Sequence, residues 1–262
     1  MSADTKKDIE ISRKGAVQIL RFNRPEKKNA ITGAMYTSVT EALKAGDADP
    51  EIAAHVFFGS GGTFCAGNDI GDFLNMAQTG GAGMVLDFIA YLPHVKKPMI
   101  AGVSGLAIGI GVTMLLHCDL VYATPDATFT TPFLNLGLLP EAGSSLLGPR
   151  LMGPQRAFEM LVLGETFSAE RARQAGLIND IVTAETLEAK AISVAGRLAT
   201  KPPEALALSR RLLKGDVAEV AKRVTEEVAL FKQRLSSPEA REAFQAFLEK
   251  RPADFAKLRH KS

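Results

Sequence analysis

Two glycine-rich stretches decide how this sequence is interpreted: GSGGTFCAGNDI at Gly59–Ile70 and GLAIGIG at Gly105–Gly111. The first follows a short apolar run, and the second leads into the apolar run Val112–Leu116. Glycine lets the main chain approach a ligand closely, and the first turn of a following helix leaves backbone N–H groups unpaired. The two stretches are therefore candidates to donate two hydrogen bonds to one oxygen anion. The alternative is that these glycines only form tight turns. Neither stretch contains GxGxxG or GxxxxGK[ST], which disfavours a nucleotide site.

The surrounding sequence predicts an α/β fold. Short β-rich runs lie between glycine-containing loops, at Ala16–Phe22, Ala54–Phe58, Met99–Val103 and Asp119–Ala123. Helical stretches separate several of these runs. A helix is predicted to begin after Ser168 as N-cap and to end at Gly176, before a strand-like run at Leu177–Val182.

The last third of the chain predicts helices. Apolar residues recur at helical spacing between Val217 and Leu235, and Ser237-Pro238 is typical of a further helix start. We therefore expect an α/β core over residues 1–195 and a helical C-terminal region over 196–262. Large apolar side chains such as Phe247 and Phe255 lie in this charged tail, so either a neighbouring subunit or the protein's own core is expected to cover them.

Composition excludes several classes of function. The 31 basic and 29 acidic residues leave a formal charge of +2, which is too balanced for nonspecific nucleic-acid binding. Only Cys65 and Cys118 are present, so a disulfide framework is excluded and reduced thiols in the cytoplasm are expected. The polar start MSADTKKDIE contains no apolar stretch typical of a signal peptide or membrane span.

An ordered set of motifs resembles the crotonase (enoyl-CoA hydratase/isomerase) family: NRPEKKNAI at Asn23–Ile31, FCAGND at Phe64–Asp69, GLAIGIG, and TPFLNLGLLPEAG at Thr131–Gly143. The resemblance extends to AFLEKR at Ala246–Arg251. It implies a spiral of ββα units, a helical C-terminal region that mediates trimer formation, and an acyl-CoA thioester as substrate. Coenzyme A would then be part of the substrate, and no separate cofactor is expected.

The resemblance also implies roles for individual residues. Two main-chain N–H groups, those of Ala66 and Ile110 by position, would hold the thioester oxygen. Hydratases of the family use two glutamates, and the corresponding positions here are Thr113 and Phe133, which cannot exchange a proton at neutral pH. A carboxylate occurs instead at Glu141, as in the branch of 3-enoyl-CoA to 2-enoyl-CoA isomerases.

An isomerase needs only one base. Glu141 would remove a proton from C2 of a 3-enoyl thioester and return it to C4. Burial beside an acyl chain would raise its pKa, whereas the N-terminus of a following helix near 142–147 would lower it. The alternative for Glu141 is an exposed residue in the first turn of a helix, since Pro-Glu is common there.

Further substrate contacts follow from the same resemblance. The loop Arg24–Ala30 would lie along the coenzyme, with main-chain contacts near Lys28 and Ala30, although a Lys-Lys pair alone is usually a solvated surface. Phe247 and Lys250 resemble residues that reach a neighbouring subunit's coenzyme. The candidate substrate contacts are thus Lys28, Ala30, Ala66, Gly67, Asn68, Asp69, Ile70, Ile110, Phe247 and Lys250. Helix capping is the expected role of Asp69, and the stretch at 73–92 is expected to wall the acyl pocket.

Three other functions are compatible with parts of the sequence. A hydratase or a noncatalytic acyl-CoA-binding member would keep both donor loops, and the second would be indifferent to Glu141. A serine hydrolase is disfavoured because Ser104, Ser144 and Ser145 lie in no GxSxG elbow and no histidine is tied to them by sequence.

The four histidines show no metal-ligand spacing, so no metal is predicted. Trimers or dimers of trimers are the expected assemblies.

Overall fold

The strands divide between two sheets. The computed structural model describes residues 7–72 and 83–258. Its larger sheet has six strands in the order β1-β2-β3-β4-β6-β9, where these strands are Ile9–Lys14, Val17–Phe22, Ala54–Gly59, Met99–Val103, Leu120–Ala123 and Asp180–Ile181. The smaller sheet, in the order β5-β7-β8, contains Leu106–Ile108, Thr128–Thr130 and Phe167–Ser168. From β4 to β7, strands alternate between the sheets along the chain; β8 stays in the smaller sheet and β9 returns to the larger one.

The larger sheet is mostly parallel. Only the β1–β2 pair is antiparallel, and β2, β3, β4, β6 and β9 pair in parallel. The crossover from β2 to β3 uses helix α1, Gly33–Ala48, whose N-cap is Thr32. Every residue of β4 is buried, as is typical of a parallel strand covered on both faces.

The two faces of the larger sheet pack into separate apolar cores. On one face, Leu20 and Phe22 join a large core that includes α1 and helix α2, Gly83–Tyr91. On the other face, Val17 and Ile19 pack with Leu187 and other apolar residues of the helix Ala184–Ala199. Alternation along β2 therefore assigns successive side chains to opposite cores.

The remaining helices follow in chain order. They are α3 Ile110–Thr113, α4 Ser144–Met152, α5 Pro154–Phe158, α6 Ala169–Gln174, α7 Ala184–Ala199, α8 Pro203–Lys214, α9 Val217–Leu235 and α10 Pro238–Leu248. The predicted C-terminal helices are confirmed, including the Ser237 cap, whose hydroxyl accepts from the N–H of Ala240 at 3.1 Å. The domain division at residue 195 stays a prediction, and helix α7 runs across it.

Sequence-predicted strands agree closely with β2, β3, β4 and β6. The predicted run Leu177–Val182 is shorter in the structure, where β9 contains only Asp180–Ile181. Within residues 7–72 and 83–258, no helix is both long and apolar enough to cross a membrane.

Candidate active site

The two glycine-rich stretches lie side by side, as predicted. The N–H of Cys65 donates to the carbonyl of Leu106 at 2.9 Å, and the N–H of Ile108 donates to the carbonyl of Cys65 at 2.9 Å. Cys65 pairs with Ala107 in a parallel bridge. Continuing that register brings residue 68 opposite residue 110.

Glycine is required where these segments meet. Gly67 has φ 86°, and a Cβ there would lie 3.1 Å from the carbonyl oxygen of Ile108. At Gly105, with φ 57°, a Cβ would lie 2.3 Å from the carbonyl oxygen of Gly62. Both positions combine a left-handed backbone with a close main-chain approach, which only glycine tolerates without strain.

The backbone donors of the site differ in part from the prediction. Ile110 is the first residue of α3, and its N–H has no hydrogen-bond acceptor within the described residues. The assignment of Ala66 as a free donor is wrong, because its N–H donates to the carbonyl of Lys28 at 3.0 Å. Among the residues that the structure describes, the N–H of Asn68 has no acceptor. Asn68 is therefore the candidate to donate together with Ile110.

Glu141 is buried, with a relative exposure of 6%, so the alternative of an exposed helix residue is wrong. The hydroxyl of Thr113 donates to Oε1 of Glu141, and Oε2 is buried without a partner in the described chain. Thr113 lies three residues after Ile110 on α3, which brings the carboxylate and the Ile110 donor to the same short helix. One carboxylate oxygen is thus held and the other is uncommitted.

The backbone after Glu141 is held in an unusual conformation. Ala142 has φ 58° and Gly143 has φ 74°, both in the left-handed region. Nε2 of His117 donates to the carbonyl of Ala142 at 2.6 Å. Burial lowers the pKa of His117 to about 4, so the ring is neutral at neutral pH and its Nε2 carries the proton. His117 therefore fixes the Ala142–Gly143 peptide, which follows Glu141 directly.

Burial dominates the electrostatics of Glu141. It raises the pKa of this carboxyl group to about 8, against the opposing hydrogen bond from Thr113 and with a further upward contribution from the carboxylate of Glu227. The N-terminus of α4 was predicted to lower the pKa of Glu141, but Glu227 occupies the donors there. Glu227 accepts from the N–H of Gly143 at 2.6 Å and of Ser145 at 3.0 Å.

Tyr36 of α1 contacts the loop at 66–69 and was not predicted from the sequence. Its hydroxyl donates to Oδ1 of Asn68 at 2.7 Å. Burial, then the charges of Glu141 and Cys65, raise the pKa of Tyr36 well above its ordinary value. Tyr36 thus stays protonated and fixes the Asn68 side chain.

The loop at 24–30 docks against the donor loop. Nη1 of Arg24 donates to Asp69 Oδ2 at 2.7 Å and to the carbonyl of Ala30 at 3.2 Å. The buried amide of Asn29 donates to the carbonyls of Ser60 and Thr63 at 2.9 and 2.6 Å. Lys28, with φ 51°, keeps its side chain exposed. These hydrogen bonds hold the loop beside residues 66–69, and Lys28 extends into solvent.

Asp69 has the capping role that was predicted for it. Its Oδ1 accepts from the N–H of Asp72 at 3.1 Å, where a helix begins at Ile70. Part of the predicted acyl wall, residues 73–82, lies outside the described residues.

Phe247 and Lys250 lie at the end of α10. Phe247 is 52% exposed, so its alternative role in core packing is wrong for this chain. Lys250 is exposed, with φ 53° after the helix end. Their contact with a neighbouring subunit's coenzyme stays a prediction.

Hydrolase and metal sites find no support in the described residues. The hydroxyl of Ser145 donates to Glu227 Oε1 at 2.5 Å, and His117 is bonded to a carbonyl, so no Ser-His pair forms there. Within the same residues, no group of three or more His, Cys, Asp or Glu side chains is arranged to hold a metal ion.

Comparison with known proteins gives the family. Residues 12–258 match the family described as Enoyl-CoA hydratase/isomerase. The chain belongs to this family. The crystal structure of an enoyl-CoA hydratase/isomerase from Pseudoalteromonas atlantica T6c is 36% identical, covers 95% of this chain and 100% of its own, and superposes with a TM-score of 0.90. The crotonase fold is thereby confirmed.

Relatives within the enoyl-CoA hydratase/isomerase family include both activities. Enoyl-CoA delta isomerase 2 of Rattus norvegicus is 35% identical over 257 residues, which are 95% of this chain and 66% of the relative. Mitochondrial enoyl-CoA hydratase of Pongo abelii is 33% identical over 244 residues, which are 91% of this chain and 83% of the relative. The chain spans about two thirds of the length of the isomerase relative.

Proposed function

We propose that this protein is a 3-enoyl-CoA to 2-enoyl-CoA isomerase that acts through Glu141 alone. The observation that carries the proposal is the buried carboxylate of Glu141, with Oε1 held by Thr113 and Oε2 uncommitted. A proton shift between two carbons of one substrate requires a single group that can accept and then donate.

The side chains around Glu141 disfavour hydration. Thr113 and Phe133 occupy the positions where hydratases of the family carry their two glutamates, and both are buried here. The hydroxyl of Thr113 donates a hydrogen bond to Glu141 and offers no base of its own. Addition of water needs one group to activate the water and another to protonate carbon, and neither Thr113 nor Phe133 supplies such a group.

The proposed reaction has two steps. Oε2 of Glu141 takes a proton from C2 of the 3-enoyl thioester, and the C–H electron pair forms a dienolate whose oxygen accepts from the N–H groups of Ile110 and Asn68. The protonated carboxyl group then delivers the same proton to C4, and the double bond moves to the 2-position. No bond to water forms, and coenzyme A takes part only as a portion of the substrate, so no separate cofactor is required.

The pKa of about 8 suits both steps. A base whose pKa lies near the operating pH is partly ionised, yet it holds the transferred proton strongly enough to deliver it in the second step. The two backbone donors stabilise the dienolate, and loss of one such donor costs about 2.7–4 kcal/mol in comparable sites.

Substrate contacts and assembly complete the proposal. The exposed Lys28 and the main chain at Ala30 would bind the coenzyme, next to the loop at 67–70. Helix α8 buries no residue, and Leu212 and Leu213 on it are 78% and 89% exposed, which supports self-association into trimers or dimers of trimers. Phe247 and Lys250 would then reach a neighbouring subunit's site. The unpaired thiols of Cys65 and Cys118 support a cytoplasmic location.

The test is the conversion of a 3-enoyl-CoA, followed by the absorbance of the conjugated 2-enoyl thioester. The wild-type protein is expected to convert it, and Glu141→Gln is expected to lose at least about a thousandfold in kcat/KM because neither proton transfer has another base. Equal rates would remove Glu141 from the mechanism.

Two other outcomes would identify the alternatives. Rapid addition of water to a 2-enoyl-CoA would indicate a hydratase with an acid or base elsewhere. Tight binding of acyl-CoA without turnover in either protein would indicate a noncatalytic acyl-CoA-binding member.

A further inference from the structure

A second buried carboxylate lies next to Glu141 and has no part in the proposed proton transfer. Glu227 projects from α9 and is only 6% exposed. Helix α9 packs directly against the turn after Glu141, because a Cβ on Gly143 would lie 3.2 Å from Val220 Cγ1 and 3.4 Å from Val224 Cγ2.

Glu227 accepts three hydrogen bonds from residues at the start of α4. Oε2 accepts from the N–H of Gly143 at 2.6 Å, and Oε1 accepts from the N–H of Ser145 at 3.0 Å and from its hydroxyl at 2.5 Å. The guanidinium of Arg223 lies 3.3 Å from that hydroxyl. Burial raises the pKa of Glu227, and these donors together with the charge of Arg223 oppose that rise by favouring the ionised form.

We propose that Glu227 is a positioning residue for Glu141: its carboxylate occupies the N-terminus of α4, so the catalytic carboxylate stays turned toward Thr113 and receives no charge compensation from the helix. This inference rests on the proposed function of Glu141. It assigns to the C-terminal helical region a direct effect on the chemistry of the core.

Glu141 is close enough in sequence to compete with Glu227 for the N–H donors at the start of α4. Glu141 lies two and four residues before Gly143 and Ser145, so its own carboxylate is the nearest alternative cap for α4. A Glu141 side chain in that role would gain backbone donors and turn away from Thr113. Glu227 prevents this by occupying the donors and by adding a like charge nearby.

The groups that face the pair are known from each element packed against it. Thr113 on α3 donates to Glu141, Tyr36 on α1 interacts with the charges of Glu141 and Cys65, and His117 donates to the neighbouring carbonyl of Ala142. Tyr36 and Cys65 have raised pKa values and His117 a lowered one, so all three are neutral near pH 8. Glu227 is then the charged group that raises the pKa of Glu141, and Arg223 lies beside Glu227 and compensates its charge.

The experiment measures the ionisation of Glu141 directly. Infrared difference spectra across pH follow the carbonyl stretch of its protonated form, assigned by the absence of that band in Glu141→Gln. In Glu227→Gln the acid dissociation constant of Glu141 is expected to increase at least about threefold, and the acid limb of kcat/KM is expected to move to lower pH by the same amount. Because the infrared signal needs no turnover, it tests the inference even in a protein that lacks isomerase activity.

Two further variants separate positioning from general stability. Glu219→Gln removes an exposed carboxylate from the same helix, where it pairs with Arg150, and is expected to leave the pKa of Glu141 unchanged. Arg223→Gln removes the positive charge that compensates Glu227 and is expected to raise the pKa of Glu141. This variant provides the test if Glu227→Gln does not fold. An unchanged pKa in Glu227→Gln, or an unchanged or lower one in Arg223→Gln, would overturn the proposal.

Discussion

Replacing Glu141 by glutamine is expected to stabilise the fold at high pH and to do so progressively less as the pH falls. Burial raises the pKa of Glu141 from 4.5 to about 8. A carboxyl group with a raised pKa favours folding while it is protonated in both states, below pH 4.5, and this contribution is lost as the pH rises through 8. Each tenfold change in the dissociation constant corresponds to about 1.4 kcal/mol, so the full loss is on the order of 5 kcal/mol.

Glutamine has the same shape and no charge, so Glu141→Gln escapes this loss. Urea unfolding of both proteins at pH 5, 7 and 9, at one protein concentration, would measure the difference in the free energy of unfolding. Circular dichroism is the suitable detector because the chain contains no tryptophan. The stability advantage of the variant should grow with pH, while Glu219→Gln, an exposed control, should show no such trend. A difference that does not change with pH would refute the account of Glu141 as a desolvated acid.

Three further predictions concern the site and the core. The value of kcat/KM should rise about tenfold per pH unit below about pH 8 and level off above it, as a pH series of initial rates would measure, since only ionised Glu141 accepts a proton. Ile110→Pro should lose about 100-fold to 1000-fold in kcat, because proline is accommodated at the first helical position and removes the N–H donor. It should also lower the melting temperature, because the buried Ile110 side chain is replaced by a smaller one; steady-state rates of folded protein and thermal melts would separate the two effects. Asp47→Asn should lower the free energy of unfolding by about 3 kcal/mol at neutral pH, as urea titration would measure. The reason is that Asp47 accepts from the N–H groups of Lys96 and Lys97 at 2.9 and 3.0 Å and pairs with the buried ring of His55 at 3.2 Å. An unchanged pH profile, full activity of Ile110→Pro, or wild-type stability of Asp47→Asn would each contradict the corresponding prediction.

The larger sheet was predictable because its strands are apolar runs bounded by turns. Met99–Val103 matches β4 residue for residue, since a fully buried parallel strand needs no polar alternation. Strand β1 was missed because five of its six residues are exposed, so its sequence lacks an apolar signal. The strands of the smaller sheet have only two or three residues, too few for a periodic pattern.

Within the site, the sequence indicated the segments better than the individual donors. Motif order located Glu141 and the two glycine-rich stretches. The direction of the Ala66 N–H depends on the docking of the loop that contains Lys28, a contact between residues 38 positions apart that spacing does not reveal. The same applies to Glu227, which reaches Gly143 from 84 positions away.

The fate of the transferred hydrogen tests the central claim most directly. A 3-enoyl-CoA with both hydrogens on C2 replaced by deuterium would be converted by the wild-type protein in ordinary water. The product would be analysed by mass spectrometry and NMR. A single buried carboxyl group that moves the proton predicts deuterium at C4 in a measurable share of product molecules, and no such product from Glu141→Gln. Hydrogen from solvent at C4 in every product molecule would contradict transfer by one side chain.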